Sequence, residues 1–211
     1  MIQVLDLKKL IIKSHDPLET AVRLAIAGNI IDYSLGNDVD ENSVRLSVEE
    51  SLSADLFGMD MSEFKRDIEN AKRIMIIGDN AGEIVFDKLL VEMLPQEKVV
   101  YAVKGGAIVN DATMQDAVST EMTHLVKVVE NGASIQGTIL EHCSEAFVKL
   151  FADSDLIISK GQANFETLDG QKDKNIYFLL RAKCKVVASE AGCGQGDFVF
   201  MKNTYSLEGR M

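Results

Sequence analysis

Long apolar runs are missing from this 211-residue chain, and no stretch approaches the roughly 20 residues that span a bilayer. Cysteine is scarce too. Cys143, Cys184 and Cys193 form an odd set without CxxC spacing, which excludes both a disulfide framework and a zinc knuckle. That usage suits a reducing cytosol. His15, His124 and His142 are scattered and no HExxH occurs, so His124 and His142 are expected to be ordinary, partly buried residues. Positive charge is also short: 22 Lys and Arg face 33 Asp and Glu, a net charge of −11. Such a surface repels nucleic acid. The close cationic pairs Lys8-Lys9, Lys65-Arg66 and Lys72-Arg73 fit solvated helix faces. The first residues, Met1 to Asp6, lack the basic segment and apolar stretch of a secretory signal, and a cytoplasmic protein without membrane or nucleic-acid partners is expected.

Two glycine motifs are absent in functional form. The Lys160-Gly161-Gln162 segment lacks the glycine spacing and Lys-Ser/Thr pair of a phosphate-binding Walker loop. Gly192-Cys193-Gly194-Gln195-Gly196 contains GxGxG but opens no predicted helix, so it is expected to be a turn rather than a dinucleotide site.

What remains is an ordinary globular balance, 46% apolar and 26% charged. A single domain of this length buries roughly 70% of its unfolded surface and needs no staple. Residues 1–70 read as a helical region and residues 71–211 as an α/β core. Asp16-Pro17-Leu18-Glu19 opens a helix with a cap, a first-position proline and a capping-box glutamate. Leu18, Val22, Ala25, Ile26, Ile30 and Tyr33 follow on one face until Gly36-Asn37-Asp38. The polar stretch from Gly36 to Asp60 is expected to be loop or loose helix, and Ser62 to Lys72 a short helix.

From Arg73 onward, short apolar strands alternate with helices. Strands are expected at 74–77, 99–103, 125–129, 156–158, 176–180 and 185–188. Amphipathic helices are expected up to Leu94 and over about Gly137 to Phe151, the latter carrying Cys143 on its packing face. This alternation predicts an α/β fold with a mostly parallel sheet covered on both faces.

In such a sheet, ligands lie beyond the carboxyl ends of the strands. The segments there are Asp79-Asn80-Ala81-Gly82-Glu83, Lys104-Gly105-Gly106 with Asn110-Asp111-Ala112-Thr113, Asn131-Gly132, and Ser159-Lys160-Gly161-Gln162-Ala163-Asn164-Phe165-Glu166. Two carboxylates and a carboxamide oxygen make a hard, incomplete oxygen shell of the kind that suits Mg²⁺ or Mn²⁺ with water and phosphate as further ligands. Lys104 and Lys160 can neutralise phosphate oxygens, and glycines let backbone amides approach an anion. Helix capping competes with this reading at two places. Asn80 with Glu83 forms a capping-box pattern, Asp79 could cap one residue earlier, and Asn110-Asp111 also suits a helix start.

Three of these segments, Gly78 to Glu83, Lys104-Gly105-Gly106 with Asn110 to Thr113, and Ser159 to Glu166, resemble in order and spacing the damage-control phosphatase family (ARMT-like, long labelled a domain of unknown function). The likeness runs from about Asp16 to about Phe200. It implies a three-layer α/β/α, Rossmann-like core with helices gathered on the N-terminal side. It also implies a divalent metal (Mg, Mn, Co or Ni) on Asp79, Asn80 and Asp111, and phosphate contacts from Lys160. The implied activity is hydrolysis of a sugar phosphate or a damaged phosphometabolite, with Asp79, Asp111 and Lys160 as catalytic residues. Lys104, Glu83, Asn110, Asn164 and Glu166 would orient substrate or ligands. The attacking group is open between water and Asp79. Two departures stand out. Prokaryotic stand-alone members usually carry a longer N-terminal helical region than the one here, which leaves a smaller cap, a cap from a partner subunit or homo-oligomer, or a fragment as alternatives. Ala107 stands where the family often has proline. A non-catalytic metabolite- or nucleotide-binding protein is the rival function; a carboxyl methyltransferase finds no support in the misplaced GxGxG.

Overall fold

The computed structural model describes residues 4–28, 41–171 and 173–203. Along the chain these form α1 (Val4–Lys13), α2 (Pro17–Gly28), α3 (Glu41–Ser53), β1 (Leu56–Phe57), α4 (Met61–Asn70), β2 (Ile74–Ile77), α5 (Ile84–Val91) and β3 (Val99–Val103). Then follow α6 (Met114–Ser119), β4 (Lys127–Glu130), α7 (Glu145–Ala152), β5 (Leu156–Lys160), α8 (Gln162–Leu168), β6 (Ile176–Arg181), α9 (Lys185–Ala191) and β7 (Phe198–Lys202). Seven strands make one sheet in the order β1-β7-β6-β5-β2-β3-β4. All neighbours are parallel except β6 and β7.

The expected α/β class and mostly parallel sheet are therefore found. The central strands are continuous apolar runs because helices cover both faces. Every residue of β2, β3 and β5 is buried. On one face, Ile74, Ile76, Tyr101, Ile158 and Leu179 pack with Leu24, Ile26, Phe64, Phe86 and Leu90 from α2, α4 and α5. On the other, Met75, Ile77, Ile157 and Phe178 pack with Phe147, Phe165 and Val187 from α7, α8 and α9. Leu24 and Ile26 are fully buried, which contributes about 1.5–3 kcal/mol each relative to an exposed side chain. The N-terminal helices thus share one core with the sheet, and β1 hydrogen-bonds directly to β7.

Local signals explain most boundaries. Asp16 caps α2, accepting from the Glu19 amide at 3.2 Å. Asp60 and Ser144 cap α4 and α7 in the same way. Part of the polar stretch before Asp60 is helix α3, whose Ser47 and Ser51 are buried and bond backbone carbonyls. Ile30, Tyr33 and Gly36-Asn37-Asp38 lie outside the described residues.

Three expectations are corrected. Residues 185–188 form the start of helix α9, not a strand. Val187, Ala188 and Ala191 are buried at helical spacing while Val186 is exposed, and a four-residue apolar run cannot separate the two periods. The long helix over 137–151 is two pieces, a 3₁₀ turn at Leu140–His142 and α7. Gly137, left-handed at φ 71°, cannot open the helix, Cys143 is extended at ψ 161° and breaks it, and Ser144 offers a fresh cap. Cys143 consequently ends the 3₁₀ turn, off α7, though it still packs partly buried against the second core. The fourth strand begins two residues later than expected, because Met122–His124 takes a 3₁₀ turn first. Strand β7 went unpredicted, and the glycine-rich segment before it is a turn, with Gly192 at φ 79° ending α9.

Candidate active site

The chain runs from β2 to β3 and β4 on one side, then returns to β5 and β6 on the other. The neighbouring carboxyl ends of β2 and β5 are therefore the switch point, where an open α/β sheet leaves a crevice for ligands. Asp79 follows β2 and Gly161 follows β5, and they touch. Gly161 has φ 79°, and a Cβ there would overlap the Asp79 carboxylate. Glycine is required at that position twice over, by backbone conformation and by space.

The loop carrying Asp111 is stitched along the Asp79 segment as a short extension of the sheet. Asn80 and Asp111 form an antiparallel bridge, with Ala81 N donating to Asn110 O at 2.8 Å and Ala112 N to Asp79 O at 2.7 Å. Asn110 thereby joins the site through its backbone. The turn before Asp111 is held under strain. Val109 adopts φ 47°, a left-handed conformation that costs a side-chain-bearing residue about 1–2 kcal/mol. Asn131 Oδ1 accepts from the Gly105 and Ala133 amides at 3.1 and 2.9 Å and fixes the other end of the loop.

The competing capping roles are decided by hydrogen bonds. Thr113, not Asn110 or Asp111, caps α6, in a capping box with Asp116. Asn80 precedes a 3₁₀ turn but makes no cap bond with its side chain; its Nδ2 donates to Glu83 Oε1 at 2.6 Å and to Asp79 Oδ2 at 3.3 Å. The carboxamide oxygen of Asn80 and the carboxylate of Asp111 are therefore not used as caps.

Beneath these groups lies a buried ionic network. Lys160, fully buried, donates to Glu83 Oε2 at 2.8 Å and to Asp87 Oδ1 at 2.7 Å. Tyr101 donates its hydroxyl to Asp87 Oδ2 at 2.7 Å. Lys104, also buried, lies 3.3 Å from Asp111 Oδ2 and donates to the Gly137 carbonyl. Asn164 donates to Gly78 O at 3.1 Å and Lys160 O at 2.8 Å, and accepts from Thr138, so it clamps the ends of β2 and β5 together. Glu166, two residues further along α8, is exposed and does not share that face.

The electrostatics follow from the count of charges. Burial, then the nearby Glu83 and Asp111 carboxylates, pushes the Asp79 pKa well above the ordinary range, against the pull of Lys160 and Lys183. Burial also raises Asp111, opposed by Lys104. Burial alone would lower Lys160, but Asp87 and Glu83 override it and hold the ammonium charged. Four carboxylates thus meet two buried lysines at one rim, a deficit of positive charge.

That deficit, with all-oxygen donors, fits a divalent cation. Among the described residues, no three His, Cys, Asp or Glu side chains gather closely enough to hold a metal by themselves. A donor set built on Asp79 and Asp111 would therefore need another oxygen, and the Asn80 carboxamide lies between them, next to Asp79 and bridged to Asp111.

Three participants were missed from the sequence. Asp87 and Tyr101 are embedded in apolar runs that look like core. Lys183 lies just past β6, exposed, with its charge acting on Asp79 and its backbone held by Gln162 Oε1 at 3.2 Å and Gln195 Nε2 at 3.0 Å. The strand-end rule reaches Lys183, since the preceding strand was predicted.

A doubly covered parallel sheet with a carboxylate cluster at its switch point defines an α/β ligand-binding or catalytic domain. Comparison with known proteins makes it specific. The model of the damage-control phosphatase ARMT1-like domain matches residues 2–199, and the chain belongs to that family. A damage-control phosphatase of Pyrococcus horikoshii is 40% identical over 195 residues, covering 90% of this chain and 66% of that protein. A damage-control phosphatase of Archaeoglobus fulgidus is 36% identical, covering 93% of this chain and 69% of the relative. An uncharacterised protein of Methanocaldococcus jannaschii is 39% identical over 95% of this chain and 69% of its own length. The crystal structure of a DUF89 family protein from P. horikoshii superposes with a TM-score of 0.84 at 36% identity, covering 95% of this chain and 71% of that one. The chain thus spans about two thirds of these relatives. No helix among the described residues is long and apolar enough to cross a membrane.

Proposed function

We propose that the chain is a metal-dependent phosphatase that hydrolyses a small phosphorylated metabolite, a sugar phosphate or a damaged phosphometabolite. The observation that carries the proposal is the Asp79 carboxylate at the β2–β5 switch point, desolvated and crowded by Glu83 and Asp111. A protein gains nothing structurally from that crowding; a cation would relieve it. The names of the similar proteins supply the reaction class.

Asp79, Asn80 and Asp111 would hold the ion, which when bound polarises a phosphoryl oxygen and neutralises its charge. Mg²⁺, Mn²⁺, Co²⁺ and Ni²⁺ are all compatible with oxygen donors of this kind. Lys104 and the strained turn keep Asp111 directed at the site. Lys183 is an exposed cation whose charge already acts on Asp79 and could meet a phosphate, while Lys160, from its buried position, supplies charge beneath Glu83 and Asp79. Asn110 and Asn164 hold the two loops that carry the site, and Glu166 would meet only the outer part of a substrate. Either water or Asp79 attacks phosphorus as the ester oxygen leaves and takes up a proton. In the second case the new bond is an aspartyl-phosphate, which a rapid acid quench would trap on Asp79.

The test is phosphate release from sugar phosphates and p-nitrophenyl phosphate by chelator-stripped protein with each metal restored. Turnover is expected to require metal and to fall at least ~100-fold, the scale on which a lost electrostatic stabiliser acts, in both Asp79→Ala and Asp111→Ala. Metal binding without turnover on any substrate would favour the binding-protein rival.

A further inference from the structure

Asp87 and Tyr101 lie inside the first core, one on α5 and one on β3, and nothing in the proposed reaction uses them. Both are fully buried. They nevertheless end a continuous chain of hydrogen bonds that begins at the candidate metal ligands. Tyr101 donates to Asp87 Oδ2 at 2.7 Å, and Lys160 donates to Asp87 Oδ1 at 2.7 Å and to Glu83 Oε2 at 2.8 Å. Glu83 Oε1 accepts from Asn80 Nδ2 at 2.6 Å, and Asn80 Nδ2 also reaches Asp79 Oδ2 at 3.3 Å.

Glu83 and Asp87 therefore each have both oxygens engaged, so neither can rotate without breaking a bond in the interior. We propose that Asp87 and Tyr101 are positioning residues for the metal site, acting through Lys160 and Glu83 to fix the Asn80 carboxamide with its oxygen available as a ligand. The Glu83 oxygen that holds Asn80 is placed by Lys160, and Lys160 is placed by Asp87. Were Glu83 to turn, the Asn80 amide would lose its nearer acceptor, at 2.6 Å, and the proposed third oxygen its orientation. Tyr101 has a second hold on the site. A Cβ on Gly78, the residue before Asp79, would come within 2.6 Å of the Tyr101 hydroxyl. The ring thus abuts the backbone that delivers Asp79.

The inference rests on the metal reading of the site. It is tested on metal-free protein by calorimetric titration with Mn²⁺ alone, so that turnover is not needed. Wild type, Asp87→Asn, Tyr101→Phe and the double variant are compared, with Tyr177→Phe as control. Tyr177 makes the same bond, to Asp67 at 2.8 Å, in a network remote from the carboxylates of the site. Asp87→Asn is expected to weaken Mn²⁺ binding about 10- to 100-fold, the range for outer partners of metal ligands. Tyr101→Phe leaves every charge in place and isolates positioning; about a threefold to tenfold loss is expected, with the double variant losing less than the product of the two. Tyr177→Phe should bind like wild type. Wild-type affinity in folded Asp87→Asn and Tyr101→Phe would overturn the inference alone. Absence of Mn²⁺ binding in wild type itself would overturn the site reading with it. If Asp87→Asn does not fold, Tyr101→Phe decides the matter.

Discussion

Two networks in this protein are built from the same four residue types and behave oppositely. In one, Lys160 is clamped by Glu83 and Asp87, with Tyr101 on the aspartate. In the other, Lys202 is clamped by Glu63 and Asp67 at 2.6 and 2.8 Å, with Tyr177 on the aspartate. In both, glutamate and aspartate stand four residues apart. The second network is partly solvated, with Lys202 26% and Asp67 21% exposed, whereas Lys160, Glu83 and Asp87 are not exposed at all. Burial raises Asp67 too, but the bonds from Lys202, Asn175 and Tyr177 outweigh it and its pKa is lowered. At Asp87 burial wins and the pKa is raised. The same quartet is a strut where water helps and a strained charge cluster where it does not. Asp79 and Asp111 add further buried negative charge to the first copy, which the proposed cation would offset.

Removing the lysine separates the two most sharply. Lys160→Met leaves two buried carboxylates unpaired and should cost about 3–5 kcal/mol in urea unfolding. Lys202→Met, with both partners partly hydrated, should cost at most about 1 kcal/mol. Equal losses would erase the distinction. A smaller effect is expected at the glycine beneath Asp79. Gly161→Ala forces a side chain into a left-handed conformation and should cost about 1–2 kcal/mol, with Mn²⁺ binding lost as the Asp79 carboxylate is displaced.

The smallest effect is on pH dependence. The folded pKa of Asp67 is below its unfolded value, so its contribution is present above the ordinary aspartate range and fades as pH falls through the folded value. Lys202→Met should flatten that acid limb of the stability profile, measured by thermal unfolding from pH 6 to pH 2 or thereabouts. An unchanged acid limb would remove Lys202 as its cause.

Much of the architecture was legible because its signals are local. Residues 74–77, 99–103 and 176–180 are unbroken apolar runs, as buried strands of a doubly covered sheet require. Strand β7 and helix α9 were not; at α9, Val186-Val187-Ala188 satisfies two periods and only the packing of Ala191 chooses. The rim residues Asp79, Asn80 and Asp111 came from the strand-end rule, and the structure brings them together through a backbone bridge that no local pattern encodes. Asp87 was hidden inside Ile84-Val85-Phe86-Asp87-Lys88-Leu89-Leu90, where a charge on an apolar face was the available clue. Lys160 was recognisable as important, but its depth depends on partners 73 and 77 residues away.

The most direct test of the account is the thermal stability of Asp79→Asn beside wild type, both stripped of metal and then given Mn²⁺. If the carboxylates at the switch point await a cation, the metal-free variant unfolds at a higher temperature than metal-free wild type, because one crowded charge is gone. Saturating Mn²⁺, at about 100 times its dissociation constant, then stabilises wild type by roughly 2.7 kcal/mol and leaves the variant unmoved. A variant less stable than wild type without metal, together with a wild type indifferent to Mn²⁺, would contradict the account and leave Asp79 a structural residue.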